Sequence, residues 1–170
     1  MALVGAFVTL IFREGFEAVS VGDIVAEAGL ARSTFYEHFS GREDILQASM
    51  AMFFTIMADC VACDDQPADL VKVLDHFWGN RRLADAVFSG RPRVILVRSL
   101  SDMIERRLRE AGMGTPALPY SLAAIQLAES QVVLVENWLR GRAFCRPEDM
   151  AAALHRSSRA SAASLLKARS

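Results

Sequence analysis

Proline, glycine and cysteine are all scarce in this chain, at 5, 10 and 3 of 170 residues. Few Pro and Gly leave few enforced breaks and exclude collagen-like and low-complexity architectures. An odd set of cysteines, Cys60, Cys63 and Cys145, makes no disulfide framework and fits a reducing compartment. No cation precedes Arg13, so the start lacks the basic region of a secretory signal. The longest apolar region, Leu118 to Leu139, is interrupted by Gln126, Glu129, Gln131, Glu136 and Asn137, which a membrane span would not carry. A cytoplasmic protein with no membrane association is expected. No phosphate-binding glycine loop, dinucleotide fingerprint or nucleophile–His–acid spacing is present, so neither an enzyme, a cofactor nor a bound metal is expected.

The composition is 52% hydrophobic and rich in Ala, Leu, Arg and Glu, which suits a helical protein with a sizeable core. Apolar residues recur at three and four rather than at two, so no strand is expected. The spacing predicts helices at Leu3–Glu14, Val21–Ala28, Arg32–Phe39, Arg42–Cys63, Ala68–Trp78, Arg81–Phe88, Arg93–Ala111 and Pro119–Arg140, and from Arg146-Pro147 onward. Gly15, Gly29 and Gly141 are the stops. Pro67 and Pro92 are placed to open helices, and 112–116 is the clearest loop. The expectation is an all-α protein of about nine helices, with the first three separable as a unit.

Residues 20–39 carry the chemistry. Ser20, with Asp23 three residues on, reads as a capping box, although Asp stands where Glu or Gln is usual. Gly29 and Ala31 supply a tight turn, and Ile24, Leu30, Phe35 and Phe39 supply apolar residues where two short helices would cross. This is the pattern of a helix-turn-helix, whose second helix has its N-terminal end free for a major groove. Arg32, Ser33, Thr34, Tyr36 and His38 lie on that helix, and all can donate hydrogen bonds to phosphates or base edges. The charge balance opposes this reading. Residues 1–46 hold three basic side chains (Arg13, Arg32, Arg42) against seven acidic ones, a formal −4, where a basic footprint is usual.

The string from Phe16 to Phe39, with its Ser-Thr-Phe-Tyr-Glu-His-Phe core and Arg42 three positions later, resembles the DNA-binding signature of the TetR/AcrR family. The resemblance covers residues 7–46. Trp138-Leu-Arg-Gly141, ahead of a Pro-Glu-x-x-Ala helix, is a weaker likeness to the same family. The resemblance implies a helix-turn-helix domain over 1–46 and a ligand-binding and dimerisation domain over 47–170. It implies a transcriptional regulator, most often a repressor, released from a double-stranded DNA operator by a small molecule. Carried over residue by residue, Arg32 and Ser33 would face bases, Thr34 and His38 phosphates, and Tyr36 either. Ser20 would cap its helix and approach a phosphate, and Arg42, where the family usually has Lys, would clamp the backbone. Family members also carry a basic segment ahead of the first helix, so either such a segment is expected upstream of Met1 or the chain binds DNA weakly as it stands, the first being preferred.

Further along, Cys60-x-x-Cys63 places two thiols on one helix face, a spacing open to a structural or a metal or redox reading. No His lies close to complete a zinc site. The resemblance implies a small-molecule pocket among the central helices. Phe53, Phe54, Met57, His76, Phe77, Trp78, Phe88 and Met103 are the candidate lining residues, and such side chains suit a small, largely apolar effector. The helix at 119–140 is apolar nearly all round and needs cover. With the Ala- and Ser-rich final helix it forms the expected homodimer interface, through residues about 119–168. The competing reading is a helical ligand-binding or interaction module with weakened DNA binding, which the acidic N-terminal balance favours.

Overall fold

The computed structural model describes residues 2–81, 84–112 and 118–166. Among these there are nine helices and no strand. They are α1 (Ala2–Glu14), α2 (Val21–Ala28), α3 (Arg32–His38), α4 (Arg42–Ala62), α5 (Leu70–Gly79), α6 (Ala84–Phe88), α7 (Gly90–Glu110), α8 (Tyr120–Leu139) and α9 (Pro147–Leu166). Two expectations need adjusting. Pro67 does not open α5: its carbonyl accepts from Leu70 N–H at 3.0 Å, forming a turn before the helix begins. Gly90 at φ 57° starts α7, so Pro92 sits inside the first turn, where its missing N–H costs no helical bond. Parts of the expected helix at 81–88 and loop at 112–116 lie outside the described residues.

The chain divides into two compact units. The first contains residues 1–51 and 85–96. Its core is built on α1, whose Leu3, Ala6, Phe7, Leu10 and Ile11 are all buried, the i, i+3, i+4, i+7 stripe of an amphipathic helix. Phe7 meets Phe16 edge-on, with ring centroids 6.3 Å apart. Ile24 of α2, Phe35 of α3 and Ile45 and Leu46 of α4 are each fully buried. Leu30 is not a crossing residue: it is 39% exposed. Its backbone explains this. Leu30 N–H reaches back to Val25 O at 2.9 Å, and Gly29 N–H to Ala26 O at 3.2 Å, with Gly29 at φ 66°. This paired closure of a helix C-terminus needs a left-handed residue, hence glycine, and commits Leu30 to the turn.

The second unit contains residues 52–84 and 97–170. In it α9 packs on both α5 and α8. Helix α8 buries ten residues, among them Ala123, Leu127, Val132, Val135 and Trp138. Two of the ten are polar, Gln131 and Glu136. Gln131 Nε2 donates to Met57 O at 3.0 Å and to Ser158 Oγ at 2.8 Å, tying α4, α8 and α9 at one point. At the C-terminal end of α4, Arg159 Nη1 donates to Ala62 O at 2.9 Å, and His155 Nε2 lies 3.1 Å from Cys63 O. The Arg159 guanidinium and the His155 ring from α9 thus meet the last carbonyls of α4, the negative end of its dipole. Among the described residues one helix, α4, is long and apolar enough to cross a membrane, and half of its apolar window is buried inside the fold.

Phe35 is the hydrophobic anchor of α3, at 0% exposure. Truncating a buried Phe removes its transfer free energy and leaves a cavity. Phe35→Ala is expected to cost about 3–5 kcal/mol, read from urea unfolding of the full chain. A loss below about 1 kcal/mol would show that the first unit does not depend on this ring.

Candidate nucleic-acid interface

The site is assembled by short-range bonds. Ser20, extended at φ −98° and ψ 165°, is the N-cap of α2. Its Oγ accepts from Asp23 N–H at 3.2 Å, and Asp23 Oδ2 accepts from Ser20 N–H at 2.8 Å, completing the box in both directions. The Ser20 hydroxyl also donates to the same carboxylate oxygen at 2.6 Å. Helix α3 then presents one apolar and one polar side. Phe35 is buried against Tyr36, edge-to-face at 5.4 Å, and against Phe39 at 5.6 Å. Burial of Phe35 leaves Arg32, Ser33, Tyr36 and His38 exposed and Thr34 half-exposed. The Arg32 guanidinium lies 5.9 Å from the Tyr36 ring centroid, so the structure brings these two predicted contact residues together on one face. Arg42 stands apart. Half-buried at the start of α4, its Nη1 donates to the carbonyls of Phe16, Glu17 and Val19 at 3.0, 3.2 and 2.6 Å.

Residues 4–49 match the family described as bacterial regulatory proteins, tetR family. Over these residues the chain carries a helix-turn-helix domain of the tetR-family DNA-binding type. The fold of the whole chain is similar to that of several solved regulators. A TetR transcriptional regulator from Streptococcus agalactiae is 22% identical, with 93% of this chain and 92% of that chain covered and a TM-score of 0.55. FadR from Bacillus subtilis, solved in complex with stearoyl-CoA, is 19% identical over 93% and 96% of the two chains, TM-score 0.55. NalD, the secondary repressor of the MexAB-OprM multidrug efflux pump in Pseudomonas aeruginosa, is 17% identical over 92% of each chain, TM-score 0.55. At these identities the likeness concerns the fold alone. No curated protein matches the sequence.

In this tetR-family domain the acidic balance is largely spent on structure. Asp23 belongs to the α2 cap, and Asp44 accepts from Ser40 N–H at 2.9 Å. Arg13 pairs with Glu14 at 2.9 Å and with Glu27 at 3.7 Å. Glu43 pairs with Arg91. Arg91 was not singled out in the sequence, since it enters the first unit from 85–96 and no local pattern marks it. Glu17 and Glu37 are the acids of 1–46 whose side chains have no such partner among the described residues.

The residues proposed for an effector pocket separate into groups. Phe53, Phe54 and Met57 are buried, and Phe77 is half-buried with its ring centroid 4.5 Å from that of Phe53. Trp78 stacks on Trp138 at 4.8 Å, while the Arg81 guanidinium lies 4.8 Å from its centroid. His76 is exposed, and Phe88 belongs to the first unit. Met103 lines a cleft of about 190 Å³ with Thr55, Ala58, Arg106, Arg107 and Glu110. Arg107 is bonded there to Asp59 at 2.7 Å and to Glu110 at 3.1 Å. Of the two close thiols, Cys60 is buried and its pKa is pushed up to about 12, first by burial and then by the nearby Asp59 charge, whereas Cys63 is exposed. That difference withdraws Cys60 from thiolate chemistry. Among the described residues no group of three or more His, Cys, Asp or Glu gathers to hold a metal ion.

The α2 cap gives a pH signature. The Ser20 hydroxyl, then the Ser20 N–H, hold the Asp23 carboxyl below its ordinary value of 3.8. A depressed carboxyl adds stability that is complete above the unfolded value and is lost as pH falls through the folded one. Asp23→Asn is therefore expected to lower stability near neutral pH and to flatten its decline below 3.8. Urea unfolding across that range checks this, and identical acid profiles for variant and wild type would show that the cap is not formed in solution.

Proposed function

We propose that this chain is a cytoplasmic, non-enzymatic transcriptional repressor that binds a double-stranded DNA operator as a two-fold dimer and is released by a small, largely apolar effector. The functional division follows the expected one, DNA recognition over 1–46 and ligand binding with dimerisation over 47–170. The observation that carries the reading is the outward face of α3: Arg32, Ser33, Tyr36 and His38 exposed together over a buried Phe35. A short helix anchored this way can lay base-reading side chains in a major groove. Arg32 and Ser33 address bases, Tyr36 a base or a phosphate, and Thr34, His38 and Ser20 phosphates. The aromatic group Phe53, Phe54 and Phe77 supports a largely apolar effector. The complex of Bacillus subtilis FadR with stearoyl-CoA supports a ligand-responsive second domain, and NalD supports repression.

Arg32→Ala is expected to cost roughly 1–3 kcal/mol at the cognate site if Arg32 reads a base. His38→Ala should weaken binding to all sequences alike. Fluorescence anisotropy on selected DNA at several salt concentrations measures both. The formal −4 of residues 1–46 supports the competing reading, an interaction module with weakened DNA binding. Absence of binding to any sequence even at low salt would favour that module over a repressor.

Dimerisation is assigned to α8 and α9. On α8, Leu122, Ile125 and Val133 are 52%, 49% and 45% exposed within the single chain and share a helix face. On α9, the small residues Ala153, Ser157, Ala160 and Ser164 are exposed at matching spacing. A dimer through these faces would cover the apolar side chains and set two α3 helices about 34–36 Å apart. Val132, by contrast, is buried in its own chain at 1% exposure, so a charge there attacks the fold. Val133→Glu should yield folded monomers by sedimentation and weaken operator binding. A Val133→Glu protein that remains dimeric would place the interface elsewhere.

A further inference from the structure

We propose that Arg42 is a positioning residue for operator recognition, whose guanidinium pins the turn between α1 and α2 and so sets the pose of Ser20 and α2. Its charge is then engaged inside the protein rather than on a DNA phosphate. The proposal rests on the reading of the first domain as DNA-binding. Three carbonyl oxygens, those of Phe16, Glu17 and Val19, converge within 3.2 Å of one nitrogen, Arg42 Nη1. That nitrogen carries two N–H bonds, so at least one is shared between acceptors. All three carbonyls belong to the short connection between the end of α1 at Glu14 and the cap at Ser20. The same connection is fixed by side chains. Phe16 is 4% exposed and Val19 0%, and the guanidinium carbon lies 5.2 Å from the Phe16 ring centroid. A planar cation therefore covers the ring and serves as donor to the backbone at once. The residues between α1 and Ser20 cannot move without breaking these bonds. Ser20 is the cap of α2, and α2 carries the packing face for α3. A clamp on this turn thus acts on the reading helix through two short steps, while both N–H groups of Arg42 Nη1 are turned to the protein.

The two roles separate by experiment. Wild-type full-length protein enriches cognate double-stranded DNA from a random library, and R42Q, R42M and R42K are titrated with that DNA and with a scrambled duplex over a range of salt. Positioning predicts that R42M and R42Q keep the salt slope of wild type but lose cognate preference, by roughly the 5–150-fold that one lost base contact costs. Hydrogen exchange of the segment 15–24 should quicken in R42M and recover in R42K, whose ammonium still offers donors to the carbonyls. A salt slope lowered by about 0.9 in both neutral variants, with unchanged exchange at 15–24, would overturn the proposal and make Arg42 a phosphate contact. R42Q keeps the test decisive if R42M fails to fold. Failure to enrich any DNA would instead overturn the DNA-binding reading itself, and the exchange result would still stand or fall separately.

Discussion

Burial of Phe35 is the constraint on which the rest of the first domain turns. Helix α3 has seven residues, fewer than an isolated helix needs to persist in water. It also lacks a side-chain cap at Ala31. Its geometry therefore comes from packing, and one ring supplies most of it. With Phe35 inward, helical spacing puts Ser33 on the far side and Tyr36 roughly a quarter-turn round, and the Arg32–Tyr36 pair follows from the i, i+4 relation. Ile24 on α2 and Ile45 and Leu46 on α4 are likewise fully buried in this unit.

Elements governed by near neighbours were legible in the sequence. The Ser20–Asp23 box, the Gly29 stop and the helix limits at Glu14 and Ala28 involve residues within about one turn of each other, and each formed as read. What escaped was set by distant partners. The carbonyls bound by Arg42 lie 23 to 26 residues away, and Arg91 lies 48 residues from Glu43. Periodicity cannot mark such pairs. It also ranks positions poorly on a helix that is apolar nearly all round. Val132 and Val133 look alike in sequence, yet one is 1% and the other 45% exposed. The effector candidates show the same limit: aromatic content pointed to a region but not to which rings meet.

The second unit is held by polar bonds as well as apolar area. Gln131 spends its amide nitrogen on two acceptors, but its Oε1 is buried without a partner among the described residues. Such an atom carries a desolvation cost of about 1–3 kcal/mol. The amide nevertheless fixes the register of three helices against one another, which an apolar side chain of similar size would leave free to slide. His155, about one turn before Ser158 on α9, and Arg159, next to it, add a second fixed point at the end of α4.

The way acids are used in residues 1–46 bears on how readily affinity for DNA can be adjusted by natural variation. Asp23, Asp44, Glu43, Glu14 and Glu27 are tied into caps or ion pairs, so replacing any of them disturbs local structure. Glu17 and Glu37 are exposed, and their side chains make no such bonds among the described residues. A neutral or basic residue at either position would strengthen attraction to a polyanion and leave the fold untouched. The domain thus holds two of its seven acidic side chains at positions separate from those that specify its shape, and these two can change without passing through an unstable intermediate.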